Sequence, residues 1–195
     1  GSTQSLLVIG LSGSSMLVFL SFSLLSGEAA STFSIFCASA AVMMLYRRIS
    51  TGDQLNVAEY FALVMIVLAS ITVLFEVKDG FSFHWRQLTA FLSGLSCYFL
   101  YKLLGNNVTI PIASKLSVIF ICSTWMSGMA IIFSPMSVSF PQENAALSSM
   151  LFGILCLLPI QFSLLTVLQR PRDKYFLLWL ILTLVVSVSS VRFLR

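Results

Sequence analysis

Charge is what this chain has least of. Only 9% of its 195 residues are Asp, Glu, Lys or Arg, against roughly a quarter in ordinary globular proteins. Histidine occurs once, at His84, which excludes a multi-histidine haem or zinc centre. The four cysteines, Cys37, Cys97, Cys122 and Cys156, stand apart from one another in apolar runs. They lack the close pairing of a metal site and read as small residues facing lipid or a neighbouring helix. No cofactor and no metal are expected. Long polar stretches are missing, which leaves no room for an extramembrane domain. The period-two alternation of a membrane barrel strand is missing as well.

What is present is apolar. Such residues make up 58% of the chain, more than the interior of a soluble fold of this length would bury. Lipid accepts that surface. Inside hydrocarbon only helices or closed barrels pair every backbone amide, and the long unalternating runs select helices. The expected architecture is therefore all-α: one polytopic transmembrane helix bundle over residues 1–195, with short loops. Gly1-Ser2 reads as the scar of tag removal, and the run from Leu6 reads as a retained span, with no cleavable signal peptide visible.

A span needs about 20 apolar residues. Successive runs place spans at about Leu6–Leu25, Ala29–Tyr46, Tyr60–Phe75, Leu88–Leu104, Pro111–Pro135, Ala146–Leu168 and Tyr175–Val191, about seven in all. Polar turns divide them: Ser50–Gln54, Lys78–Arg86, Gly105-Asn106-Asn107, Pro141–Asn144 and Arg170–Lys174. Glu59 and Glu76 bracket the third span about 25 Å apart, close to the depth of a bilayer core. Glu59, in the first turn of that span, reads as interfacial rather than as a proton carrier.

The net charge of +4 follows from basic residues gathered at helix ends and needs no nucleic acid to explain it. One set of alternate loops holds Arg47, Arg48, Lys102, Lys115, Arg170, Arg172 and Lys174, and the other only Lys78 and Arg86 beside Glu28, Glu76, Asp79 and Glu143. The basic set is expected in the cytoplasm, so the N-terminus lies inside, in what reads as a bacterial inner membrane. With an odd number of spans, Arg192 and Arg195 fall on the unfavoured side. The sequon Asn107-Val108-Thr109 lies in an inside loop and reads as chance.

Several features bear on function. Small residues recur four apart at Ala30, Ser34 and Ala38, at Ala90 and Gly94, at Ser123 and Ser127, and at Ser149 and Gly153. That spacing suits close helix packing in lipid. Pro159 interrupts the sixth run, frees the carbonyl of Leu155, and stands two residues before the amide of Gln161. Broken helices with polar groups at mid-membrane are how many transporters build a substrate site. Lys102 and Lys115 lie about one turn inside their spans. Both can snorkel to the headgroups, and either can instead neutralise an anionic substrate at the cytoplasmic mouth. Pro159, Gln161 and Lys115 are the candidate substrate-binding residues. Gly10-Leu11-Ser12-Gly13 has the form of the short serine motif of rhomboid-type proteases. That chemistry needs a histidine on a neighbouring span, and His84 falls in an outer loop, so no enzyme is expected.

The order of these features resembles the drug/metabolite transporter superfamily, of the EamA-like kind, whose chains have ten spans in two inverted halves. Phe22 to Leu74 is similar to the close of a first half, with its Gly-acid turn at Gly52-Asp53-Gln54-Leu55, and His84 to Lys102 resembles the opening span of a second half. The chain departs from that pattern at Ala38-Ser39-Ala40-Ala41, where the family carries a proline, and at Ala62 and Ala69, where it favours glycine. About three spans are missing. The resemblance implies transport but assigns no residue.

Three functions follow as expectations: a small-molecule transporter or exporter, a non-catalytic membrane subunit or assembly factor, and an intramembrane enzyme. The expected partners are the lipid bilayer, a small-molecule substrate, and a membrane-protein partner or second copy, with no nucleic acid. The topology is directly testable. Reporter fusions at Gly52 and Pro171 should report cytoplasm and one at Asp79 the opposite side; the reverse pattern refutes the charge assignment.

Overall fold

The computed structural model describes residues 2–26, 29–52, 54, 56–76, 85–107, 109–133 and 173–193. All its secondary structure there is helical: α1 (Ser2–Ser26), α2 (Ala29–Thr51), α3 (Val57–Glu76), α4 (Trp85–Asn106), α5 (Ile112–Phe133) and α6 (Asp173–Phe193). Four stretches are long and apolar enough to cross a membrane: Thr3–Ser23, Ser31–Thr51, Gln87–Asn106 and Ile112–Met129. Val57–Thr72 and Tyr175–Val185 are shorter apolar stretches. The expected sixth span, Ala146–Leu168, lies outside the described residues.

The helices extend past the apolar runs that announce them. α2 continues through Arg47 and Arg48 to Thr51, because a backbone leaving hydrocarbon loses nothing by keeping its helical bonds while long basic side chains reach outward. It stops at Gly52, whose φ of 70° is a conformation costly for any residue with a Cβ. The Gly52 amide closes the end by donating to the Ile49 carbonyl at 3.3 Å. Gly105 does not break α4. The helix runs on to Asn106, and the Asn107 side-chain amide donates to the Leu103 carbonyl at 2.9 Å. At the start of α3, the Glu59 carboxylate accepts from the Asn56 amide at 3.3 Å, half of a capping box.

α4 is the centre of the packing. It lies against both α1 and α2; α5 rests on the other side of α1, while α3 and α6 pack on α2 and on each other. Two close crossings set this order. At Gly94 of α4, a Cβ would run into the Ser39 hydroxyl and the Phe36 carbonyl of α2. At Gly10 of α1, it would stand 2.5 Å from Val118 Cγ1 and 2.9 Å from Cys122 Sγ of α5. Lipid tails are as apolar as leucine, so helices gain from association mainly through dispersion at such close contacts. Of the small-residue series, Ser34, Ala90 and Gly94 lie in these buried faces, whereas Ser127 is exposed.

Contacts also fix relative direction. Gly10 meets Val118 and Ser14 meets Met126, so α1 and α5 are parallel. Ser93 of α4 bonds to Met16 of α1, and α4 leads through residues 107–111 into α5, so α4 runs antiparallel to both. Phe36 faces Gly94 and Trp179, while Phe176 faces Tyr98 and Tyr101. Numbers fall along α6 as they rise along α4, which makes α6 parallel to α1 and α5. Tyr101 and Phe176 stack at 4.4 Å, and Phe36 meets Trp179 edge-on at 6.2 Å, an arrangement worth about 0.5–1.5 kcal/mol per pair beyond area burial.

The crossing at Gly94 generates a prediction. Gly94→Val should lower stability by at least about 1–3 kcal/mol through overpacking. Gly128→Ala, which meets nothing within 4 Å, should be neutral or raise stability by up to about 1 kcal/mol through helix propensity. Thermal unfolding in detergent measures both, and equal effects contradict the packing described.

Candidate functional site

Buried polar groups in the described bundle are almost all hydroxyls with partners on hand. Ser93 of α4 donates to the Met16 carbonyl of α1 at 2.9 Å. Ser23 and Thr32 pair across the α1–α2 turn at 3.1 Å. Ser39 donates to Phe36 at 2.9 Å and Ser70 to Ile66 at 2.7 Å, each within its own helix. Even the Cys37 thiol points at the Leu180 carbonyl, 3.6 Å away. Such bonds remove the cost of burying a hydroxyl.

Lys115 breaks this pattern. It is the one charged residue among the buried polar side chains described, with no exposed surface, and its Nζ has no hydrogen-bond partner among the described residues. Its backbone amide donates to the Pro111 carbonyl at 3.2 Å, the first bond of α5, which places it in the opening turn. Leu116 and Ile119 pack on the core. Ile119 stands against Gly13 and Val118 against Gly10, so Lys115 continues the α1-facing stripe one turn toward the N-terminal ends of the two parallel helices. The other orphaned polar atom described, Ser123 Oγ, lies on the same helix.

Lys102 behaves differently. Its ammonium lies over the rings of Tyr101 and Tyr98, 5.3 and 5.9 Å from their centroids. That contact is worth about 0.5–2 kcal/mol and gives the charge a partner. Of the residues singled out for a substrate site, Lys115 is therefore the one the structure shows in an unusual state. Pro159 and Gln161 lie outside the described residues, so the three are not brought together here. What the sequence did not mark is that Gly10 and Gly13 serve the α1–α5 crossing. Their spacing of three was the available signal, and it read as a serine motif because Ser12 stands between them. His84 is outside the described residues.

Among the described residues, no three of His, Cys, Asp and Glu come together as a metal-binding group. Cys37 and Cys97 are buried free thiols and Cys122 is half-buried. No family model matches this chain, and no curated protein or solved structure matches it either.

Thiol labelling tests this environment. In folded protein Cys122 should react with a permeant maleimide faster than Cys37 and Cys97. After unfolding without reductant all four cysteines should react, and protection released only by reductant would reveal a disulfide.

Proposed function

We propose that the protein is a small-molecule transporter or exporter of the bacterial inner membrane, a bundle of about seven spans with its N-terminus in the cytoplasm. The observation that carries this reading is the buried ammonium of Lys115 on the α1-facing stripe of α5, which has no hydrogen-bond partner among the described residues. An ionisable side chain kept inside a membrane bundle is costly and marks substrate or ion pathways more often than structure. In this reading Lys115 meets the charged part of the solute near the cytoplasmic mouth, and Pro159 and Gln161 supply the break and the amide deeper in the bundle. The shared direction of α5 and α6 supports an odd number of crossings between them, which seven spans require. The resemblance to the drug/metabolite transporter superfamily points the same way.

A second reading, a non-catalytic membrane subunit, draws on a different observation. α5 rests chiefly on α1 and leaves Phe120, Ile121 and Trp125 exposed, a face that another membrane chain fits as well as lipid does.

Solute accumulation in membrane vesicles separates the two. Vesicles containing the protein should accumulate or expel at least one solute that control vesicles do not. At equal protein level, Lys115→Met and Gln161→Leu should each reduce that flux by about tenfold or more, the effect of losing roughly 1.4 kcal/mol of binding. An unchanged solute profile, together with purification in fixed ratio with a second chain, favours the subunit.

A further inference from the structure

The N-terminal end of α5 is electrostatically incomplete. A helix N-terminus carries about half a positive charge on amides that have no intrahelical acceptor. In α5 the first described bond is that of Lys115 to Pro111, so the amides of Ile112, Ala113 and Ser114 precede it with no backbone acceptor among the described residues. α1, parallel to α5 and in contact with it, turns its own N-terminal end to the same side. A lysine is the wrong residue for such a place, because cations are favoured at the opposite end of a helix. Lys115 follows those three amides directly in the opening turn, and helical side chains lean toward the N-terminus, so a cation at this position faces charge of the same sign.

Snorkelling does not resolve this. A snorkelling lysine keeps its ammonium in water or among headgroups, whereas the Lys115 Nζ is sealed and without a partner among the described residues. The Glu59 carboxylate is engaged with the Asn56 amide at the head of α3. Every term in this arrangement is unfavourable until an anion is added, and then each becomes favourable.

We propose that the opening turn of α5 is a binding site for one phosphate group, held by the Lys115 ammonium and the amides of Ile112, Ala113 and Ser114. Backbone amides at a helix start with an adjacent lysine are a recurrent phosphate cradle: the amides reach separate oxygens and the lysine supplies a point charge. The phosphate belongs either to a phosphorylated solute or to the headgroup of an anionic lipid. As a statement about the transported solute it rests on the transporter reading; as a binding site it does not.

The test uses the full chain in phosphatidylcholine nanodiscs. Inorganic phosphate, against chloride at equal ionic strength, is titrated while the unfolding temperature and the phosphorus NMR linewidth are followed. A parallel series replaces part of the phosphatidylcholine with phosphatidylglycerol and adds no phosphate. Stabilisation by phosphate that is lost in Lys115→Met and kept in Lys115→Arg supports the site with a soluble ligand. Stabilisation by phosphatidylglycerol alone, with the same dependence on residue 115, supports the site with a lipid headgroup and removes the support that Lys115 lends to transport. Ala113→Pro guards against a Lys115 variant that fails to fold: it removes one donor at a position in the first turn, where proline is tolerated. It should weaken phosphate binding about tenfold. If wild type and both Lys115→Met and Ala113→Pro respond alike to phosphate and to phosphatidylglycerol, the proposal fails. Solute flux with no phosphate response would overturn this inference and leave the transporter reading standing.

Discussion

Every polar group taken into hydrocarbon must find its partner inside the protein, and the organisation of this bundle follows from that. An amide or hydroxyl left unpaired in a medium without water costs several kcal/mol, whereas an apolar side chain exposed to lipid costs nothing. The usual logic of a core is thereby loosened. Large side chains such as Phe61, Leu68 and Trp125 stand exposed, while the buried faces mix large apolar residues such as Phe36, Leu104 and Phe176 with serines and alanines. Serines fit because a hydroxyl can donate to a carbonyl one turn back, as Ser70 does, or to the next helix, as Ser93 does. Among the described residues, buried polarity is carried by short hydroxyls, with Lys115 the one charged exception.

The same constraint explains why two glycines order the helices. Without a hydrophobic force between spans, association depends on how closely backbones approach, and approach is limited by the Cβ atom. Gly94 lets α4 come against the Phe36 carbonyl of α2, and Gly10 lets α1 come against Val118 and Cys122 of α5. α4 then joins the α1–α5 pair to the group formed by α2, α3 and α6. The aromatic cluster of Phe36, Tyr98, Tyr101, Phe176 and Trp179 fills the wider gap that these crossings leave between α2, α4 and α6. Large rings and small crossings are two parts of one packing solution.

Helix type was legible in the described part because hydrophobicity over some twenty residues is a sum, insensitive to any single position; of the spans expected there, four are long and apolar enough to cross a membrane. Helix ends were less so. Arg47 to Thr51 read as the edge of a loop by polarity, yet α2 keeps its backbone bonds until Gly52 forces a left-handed turn. Gly105 read as a breaker, yet a single glycine costs a helix only about 1 kcal/mol, less than the helical bonds it would sacrifice. The pairing of spans was not legible at all. Ala90 and Gly94 gave a correct small face, but only the fold says that it meets Phe36 and Ser39. At Gly10 and Gly13 the glycines that bring α1 against α5 are the same ones that give the string the form of a serine motif.

Lys102 and Lys115 could not be told apart in one dimension, since each stands about a turn from the end of an apolar run. Their difference lies in the neighbouring helix. Lys102 emerges beside two tyrosines of its own helix and places its charge over their rings, so its cost is met locally whatever surrounds α4. Lys115 lies on the same stripe of α5 as Val118 and Ile119, which meet Gly10 and Gly13 of α1, and its side chain is buried. Among the described helices the buried lysine therefore stands on the face by which α5 packs, one turn from the close contacts at Gly10 and Gly13.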